Sequence, residues 1–290
     1  MVYITSNNKY FLKILFLGFG LKNRDMMDYT LLLVLGISYV CGEASRLSEL
    51  TSADDYMNIC MDGVSHKGSP GPEDKLFDKC TPWKDRSCCT SEITSNIHMN
   101  TSWYNLDWSH CPQQLSPQCR ARFTQDLCFY ECSPNVGPWL VKVDGMKIRN
   151  ERFVDVPLCH SECDAWWEDC RDDFTCVENW SRHFNWTSDG AKCPANTECV
   201  TFETMFKNST NFCEKVWDHS WKVVNDSNPE GCFVMWWQED TANPNYDVAY
   251  RKAQAIVSGA PDALPKWFHS LCLCVVNVLV LSFTKAGRFW

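Results

Sequence analysis

The sequence predicts one disulfide-stabilised globular domain built from helices and short strands. Two observations carry this prediction. The 290-residue chain holds 19 cysteines, a density typical of proteins that fold in an oxidising compartment. Between its two apolar terminal stretches the chain shows no internal repeat and no low-complexity tract. Residues 45–258 are therefore expected to fold as a single domain.

Residues 1–44 are interpreted as a signal peptide. Lys22 and Arg24 precede an apolar run from 29 to 40, and the small residues Gly42 and Ala44 follow it. Met26 or Met27 is an alternative start, which would make residues 1–25 an upstream extension.

Residues 259–290 are interpreted as a lipid-anchor signal that is removed. Small residues at 258–260 precede a spacer to about Lys266 and an apolar run from 267 to 283, which predicts attachment of a glycolipid at Ser258. A short transmembrane tail is the alternative, because the run lies at the lower spanning limit and Lys285 and Arg288 follow it. The protein is expected on the extracellular face of the plasma membrane, with secretion as the other outcome.

The net charge limits which ligands are expected, and the cysteine count limits how the cysteines can pair. The formal net charge is −9, which argues against nucleic acid as a ligand. Removing the two terminal segments also removes Cys41, Cys272 and Cys274 and leaves an even number of cysteines, as complete pairing requires. The adjacent Cys88 and Cys89 are expected to pair with different partners.

The segment 157–186 is the densest in cysteine and tryptophan and is predicted to contain a helix. At helical spacing Cys159, Cys163, Trp166 and Cys170 fall on one face, and Ser161 is the predicted N-cap. The cysteine spacing lacks the C-x2-C knuckles of zinc sites, so disulfides are expected rather than a metal.

A second helix is predicted from Cys119 to Cys132. It places Cys119, Phe123, Asp126 and Tyr130 on one side. A carboxylate in such an apolar stripe must be paired or face a cavity. The alternative is a half-buried stripe in which Asp126 is solvated or paired with an arginine.

Four further segments carry weaker signals. They predict a short helix within 45–59, a helix over 212–224, a strand over 232–237 and a helix over about 247–256. Between the two main helices, residues 144–152 form a basic loop with Arg149 and Arg152.

No nucleophile elbow, zinc-protease helix, phosphate-binding loop or dinucleotide fingerprint is found, so no enzyme is predicted. Excess aromatic residues are typical of interfaces and ligand pockets. A planar heteroaromatic ligand held between rings, with a carboxylate at its donor edge, would account for both the rings and Asp126. Sequons predict N-glycosylation at Asn100, Asn185, Asn208 and Asn225, whereas Asn179 lies too close to the tryptophan cluster.

Four sequence segments resemble the folate receptor family. They are PGPEDKL (70–76), FTQDLCFYECSPNVGPW (123–139), VPLC followed by WWEDCR (156–171) and NWSRHFNWT (179–187). The resemblance runs from about 60 to 258 and includes all sixteen cysteines. It implies an α+β, disulfide-rich, lipid-anchored monomer that binds folate or a reduced folate, without a cofactor, and carries it into cells by endocytosis. The family also includes an egg-surface adhesion receptor for a sperm protein that has lost folate binding, which is the alternative function.

The resemblance also implies a ligand site. Asp126 would anchor the amino-pyrimidine edge of the pterin, Tyr130 and Trp217 would sandwich the ring, and the other groups would meet its polar atoms or line the tunnel. Arg149, Arg152 and Ser220 would meet the carbonyl and nitrogens of the pterin, and the tunnel would be lined by Tyr104, Trp180 and Trp186. Arg182 would supply a cation for the ligand's carboxylate tail.

The implied disulfide set contains eight bonds. The pairs are Cys60–Cys88, Cys80–Cys128, Cys89–Cys132, Cys111–Cys199, Cys119–Cys170, Cys159–Cys232, Cys163–Cys213 and Cys176–Cys193.

This chain departs from the family pattern at the tail end of the site. A tunnel tryptophan is missing around 147–148. Ser181, Arg182, Phe184 and Leu106 stand where the family has His, Lys, Trp and Phe. The pterin end is intact, which favours folate binding over the adhesion role.

Overall fold

The computed structural model describes residues 45–259, apart from residues 100–103, 105, 107, 109 and 147. The predicted signal peptide, the C-terminal tail and the sequon at Asn100 lie outside the described residues. Among the residues that are described, no helix is both long and apolar enough to cross a bilayer.

Seven α-helices occur in the described residues: α1 (Ala53–Met57), α2 (Ser91–Met99), α3 (Pro117–Cys132), α4 (His160–Cys170), α5 (Phe202–Phe206), α6 (Ser209–Lys215) and α7 (Tyr246–Gly259). Short 3-10 turns lie at Arg46–Glu49, Asp78–Trp83 and Gly137–Trp139. The predicted helices within 45–59 and near 247–256 are confirmed as α1 and α7.

The described strands are β1 (Leu140–Lys142), β2 (Glu151–Phe153), β3 (Val156–Cys159), β4 (Phe174–Thr175), β5 (Asn185–Thr187), β6 (Gly190–Lys192), β7 (Val200–Thr201) and β8 (Trp221–Val224). They form four two-stranded sheets. β3 and β8 are parallel, with Val156 opposite Trp221, whereas β1–β2, β4–β7 and β5–β6 are antiparallel. The expected α+β class is confirmed.

Helix α3 carries the predicted stripe. Ser116 caps it by accepting from the Cys119 N–H, and Pro117 occupies the first turn, where no N–H is needed. Cys119, Phe123 and Asp126 are 0%, 0% and 4% exposed, so the stripe faces the core rather than lying half-buried.

Helix α4 begins at His160, two residues earlier than a cap at Ser161 indicates, and the predicted cap is wrong because Cys159 occupies that position. Asp226, from the loop after β8, accepts from the backbone N–H of Ser161. A free N–H group of the first helical turn is thus paired with a side chain that lies far away in the sequence. Asp164 pairs with His160 instead, at 3.0 Å. The predicted cysteine face is confirmed: Cys163, Trp166 and Cys170 are fully buried.

Two segment predictions are wrong. Residues 212–224 split into the end of α6, a turn and β8, because Asp218 and His219 adopt left-handed φ values of 55° and 59° that a helix cannot contain. Residues 232–237 form no strand: Phe233 makes one isolated bridge to Leu158.

Aromatic side chains form the core between α3, α4 and α6. Phe123 stacks on Trp180 with centroids 4.7 Å apart and planes 4° apart, and meets Trp166 edge-on at 5.1 Å. Phe212 closes the cluster against Trp166 at 4.9 Å. Such offset and edge-to-face pairs add to the burial energy of each ring.

All eight expected disulfides are formed. Three of the bonds involve helix α4 or the residue before it. Cys159 is bonded to Cys232, Cys163 to Cys213 and Cys170 to Cys119. The neighbours Cys88 and Cys89 pair with Cys60 and Cys132. The remaining bonds are Cys80–Cys128, Cys111–Cys199 and Cys176–Cys193.

Candidate functional site

A cavity of about 790 Å³ opens beside α3. Its volume lies within the range of roughly 300–1,000 Å³ that small-molecule sites occupy. The wall comes from α3, the loop before β2, the loop after Trp180 and the turn before β8. The lining residues are Tyr104, Leu106, Asp126, Leu127, Tyr130, Asp144, Gly145, Met146, Ile148, Arg149, Phe153, Ser181, Arg182, Trp186, Thr187, Ser188, Trp217, Ser220 and Trp221.

Asp126 is a buried acid in this wall. The indole N–H of Trp221 donates to Asp126 Oδ1 at 2.9 Å. Burial raises the pKa of Asp126 to about 7, while the Trp221 bond, and a weaker contact with the Trp217 indole outside hydrogen-bond geometry, oppose that rise. The carboxylate can therefore accept further donors from a ligand, and it titrates near neutral pH.

Tyr130 lies one turn after Asp126 and presents its ring to the same cavity. Arg149 Nη1 donates to the Tyr130 hydroxyl at 3.1 Å, and its guanidinium lies 5.6 Å from the ring centroid. Burial raises the pKa of Tyr130 to about 12, although the positive charge of Arg149 opposes the shift. The phenol thus stays neutral and Arg149 is held at the cavity wall.

The turn between α6 and β8 positions Trp217. The Ser220 N–H and hydroxyl both bond to the Trp217 carbonyl, at 3.1 and 2.8 Å. Arg152 also donates to that carbonyl, at 3.3 Å, and to the Asp218 carboxylate at 2.7 Å. These bonds stabilise two consecutive left-handed residues, a conformation that otherwise costs energy in non-glycine residues.

Three buried donors at or beside the cavity have no hydrogen-bond partner among the described residues. They are Nε of Arg149, Nε of Arg152 and Nε1 of Trp217. Unpaired buried indole N–H groups also occur away from the cavity, at Trp83 and Trp166 for example, so these donors do not by themselves mark a ligand site.

Tyr104 is held by a buried acid from the opposite face of α3. Its hydroxyl donates to Glu131 Oε1 at 2.7 Å and contacts Ser65, whose hydroxyl donates to Oε2 at 2.7 Å. His66 Nε2 lies 3.5 Å from Oε2, and both side chains are almost fully buried. The network links the loop after Asp62 to α3 and fixes the Tyr104 ring at the wall.

The tail end of the cavity is more open and mixed in character. Trp186 is 45% exposed at the mouth, beside Ser181 and Arg182. Met146 and Ile148 line the side where the family tryptophan is missing.

Two expected site residues do not line the cavity. Trp180 is fully buried, stacks on Phe123 and donates its indole N–H to Thr175 at 3.0 Å, so it supports the wall from within the core. Arg152 is 6% exposed and holds the turn of Trp217. The other expected residues, Asp126, Tyr130, Tyr104, Arg149, Arg182, Trp186, Trp217 and Ser220, meet at the cavity.

The sequons differ in access. Asn185, Asn208 and Asn225 are exposed, as a glycan needs. Asn179 Nδ2 donates to Asp218 Oδ1 at 2.8 Å, so the atom that would carry a glycan is hydrogen-bonded in the folded protein.

Sequence reasoning missed Trp221, Asp218 and Glu131. A buried carboxylate needs donors, and that rule predicts a partner for Asp126 without naming it, because any of the 14 tryptophans could supply the N–H. Glu131 follows Tyr130 directly, and nothing in the local pattern separates it from an exposed helix residue.

Comparison with known proteins shows which family this chain resembles. Residues 59–234 match the Folate receptor family. Human "Folate receptor gamma" is 44% identical over 80% of this chain and 94% of that protein, and human "Folate receptor alpha" is 40% identical over 87% and 98%. The "Riboflavin-binding protein" of Dromaius novaehollandiae is 35% identical over 61% of this chain and 72% of that protein. The chain belongs to the folate receptor family.

Proposed function

We propose that this protein is a cell-surface receptor that binds folate and carries it into cells by endocytosis. The observation that carries the proposal is Asp126, a buried acid in a ring-lined cavity. No cofactor or catalytic step is part of the proposal.

The chemistry of Asp126 favours a pterin. The amino-pyrimidine edge of a pterin presents a ring N–H beside an exocyclic amino group, and a carboxylate can accept from both at once. The corresponding edge of a flavin presents one N–H between two carbonyls, which would oppose the carboxylate oxygens. The carboxylate therefore supports a folate rather than riboflavin.

The remaining wall suits the other parts of the ligand. Tyr130 and Trp217 offer ring faces for stacking, and Arg149 and Ser220 in the cavity lining would meet the ring nitrogens and the carbonyl. The open end beside Arg182 and Trp186 has room for an aminobenzoyl-glutamate tail.

The disulfides support an extracytoplasmic location. We extend the proposal to a monomer held at the plasma membrane by a lipid anchor at Ser258, which lies exposed near the end of α7. The same cavity favours small-molecule binding over the adhesion role, in which a sperm protein would dock on the surface.

A folate titration followed by intrinsic tryptophan fluorescence tests the proposal. A pterin stacked on Trp217 beside Trp221 should quench emission saturably, and riboflavin should compete poorly. Asp126→Ala is the matched variant, expected to lose the response while the far-UV spectrum stays unchanged. Absence of folate binding by the correctly folded wild type would overturn the proposal and favour adhesion.

A further inference from the structure

Asp218 connects both arginines that flank the Trp217 turn. Its Oδ2 accepts from Arg152 Nη1 at 2.7 Å and from Arg182 Nε at 2.9 Å, and its Oδ1 accepts from Asn179 at 2.8 Å. Although burial alone would raise the pKa of Asp218, the bonds from Arg182 and Asn179 and the charge of Arg152 hold it below its usual value. The carboxylate is therefore ionised at neutral pH.

Arg182 is the cation that lies at the open end of the cavity. Its side chain is 49% exposed, so a ligand can reach it, but its Nε is already bonded to Asp218. An arginine paired within the protein attracts an incoming carboxylate less than a free one, because the negative charge of its partner offsets part of its own charge.

We propose that Asp218 competes with the ligand's own carboxylate for Arg182, and thereby sets how strongly the pocket prefers ligands with an anionic tail. The inference rests on the proposed function, since it concerns the tail of a pterin-containing ligand. Asp218 acts on selectivity through Arg182, and it also positions Trp217 through the same turn.

A charge cycle separates competition from positioning. Binding of folate and of 6-methylpterin, which keeps the bicyclic ring without a carboxylate, is measured for wild type, Asp218→Asn, Arg182→Gln and the double variant. The affinity ratio of folate to 6-methylpterin is expected to rise about two- to fivefold in Asp218→Asn and to fall similarly in Arg182→Gln. The double variant should keep the low ratio of Arg182→Gln, because Asp218 acts through Arg182 and has nothing to compete for once that cation is removed.

Glu178→Gln is the matched control. Glu178 and Lys215 form an ion pair of 2.7 Å that does not line the cavity, so this variant should leave the ratio unchanged. Equal weakening of both ligands in Asp218→Asn, or an unchanged ratio, would mean that Asp218 only positions Trp217 and would overturn the inference.

Wild-type protein offers a second test that does not depend on the folding of a variant. Because Asp218 offsets part of the charge of Arg182, the affinity ratio should change less than about twofold between roughly 50 and 500 mM salt. A steep loss of the ratio with salt would show that the tail meets Arg182 as an unpaired cation and would contradict competition. Wild type that binds neither ligand overturns the proposed function itself, an outcome distinct from binding with the wrong ratio.

Discussion

The indole N–H of Trp221 donates to Oδ1 of Asp126 at 2.9 Å, and this bond joins the first residue of β8 to helix α3. Trp221 is fully buried and anchors the strand that follows the Trp217 turn. This hydrogen bond thus fixes Asp126 relative to the turn that carries Trp217. Oδ2 remains available as an acceptor for a ligand.

Asp126→Ala should weaken folate by about 3–5 kcal/mol, or roughly two to three and a half orders of magnitude in Kd. The physical reason is the loss of two charge-assisted hydrogen bonds in a largely dry site, each worth about 1.5–3 kcal/mol. Isothermal calorimetry measures the loss. Asp126→Asn should also weaken binding because its amide presents a donor to the pterin's donors. Equal affinity for wild type and Asp126→Ala would remove Asp126 from the ligand site.

Folate affinity should fall with pH below about 7. The pKa of Asp126 is about 7 in the free protein, and a ligand that donates to the carboxylate lowers it. Binding is therefore strongest above the free-state pKa and weakens about tenfold per unit as pH falls from 7 toward the bound-state pKa. Equilibrium binding across about pH 8 to 5 checks this.

Two variants control the pH experiment. Asp126→Asn should bind weakly with a nearly flat profile. Trp221→Phe removes a donor that holds the Asp126 pKa down, so its midpoint should move to higher pH. A slope that persists in Asp126→Asn would show that another group is responsible for the pH dependence.

Asp126 should cost stability in the ligand-free protein. The pKa of Asp126 in the folded protein is raised above the value near 3.9 of an unfolded chain, because burial disfavours the ionised form. The stability that the protein has below pH 4, where this group is protonated in both states, is therefore reduced as pH rises through 7. Asp126→Asn is expected to unfold at a higher temperature than wild type at about pH 8 and at nearly the same temperature at about pH 4. Calorimetry at both values decides, and a gain confined to low pH would contradict the assignment.

Tyr104→Phe should separate the two roles of this side chain. It keeps the ring at the cavity wall and removes the hydroxyl that donates to buried Glu131. Leaving that carboxylate short of a donor should lower the free energy of unfolding by about 1–3 kcal/mol. Folate affinity should change far less than in Tyr104→Ala, which also removes the ring. Chemical denaturation and folate titration of both variants supply the comparison.

The lipid anchor at Ser258 is tested on intact cells. Phosphatidylinositol-specific phospholipase should release the protein from cells that express it, because the proposed anchor joins the chain to that lipid. A tag placed after Trp290 should be missing from the mature protein. Retention on the membrane together with the tag would favour the transmembrane tail.

The sequence predicted the helices well where one pattern dominated. The cysteine and aromatic spacing of α3 and α4 could be satisfied only on a buried face, and Asp126 stood out because a carboxylate in that face needs a reason. The turn at Asp218 and His219 could not be predicted, since neither residue is glycine and the helical pattern runs through it. Its left-handed backbone depends on Arg152 and Asn179, which lie far away in the chain.

The apolar run 232–237 misled for a related reason. Strand pattern requires a pairing partner, and only Phe233 finds one. Trp237 packs edge-on against Trp83 at 4.9 Å, so tertiary packing of an indole, rather than a backbone ladder, determines the path of this segment.

The Cys119–Cys170 and Cys163–Cys213 bonds form a continuous covalent route from α3 through α4 to α6. Asp126 and Tyr130 lie on the first of these helices, and Trp217 follows the last. Heat or acid that loosens the packing leaves this route unbroken, so the segments that carry the two walls of the cavity stay joined at the bonded cysteines. While these bonds stay oxidised, we expect a protein unfolded by acid to regain its cavity on neutralisation without searching for its fold again.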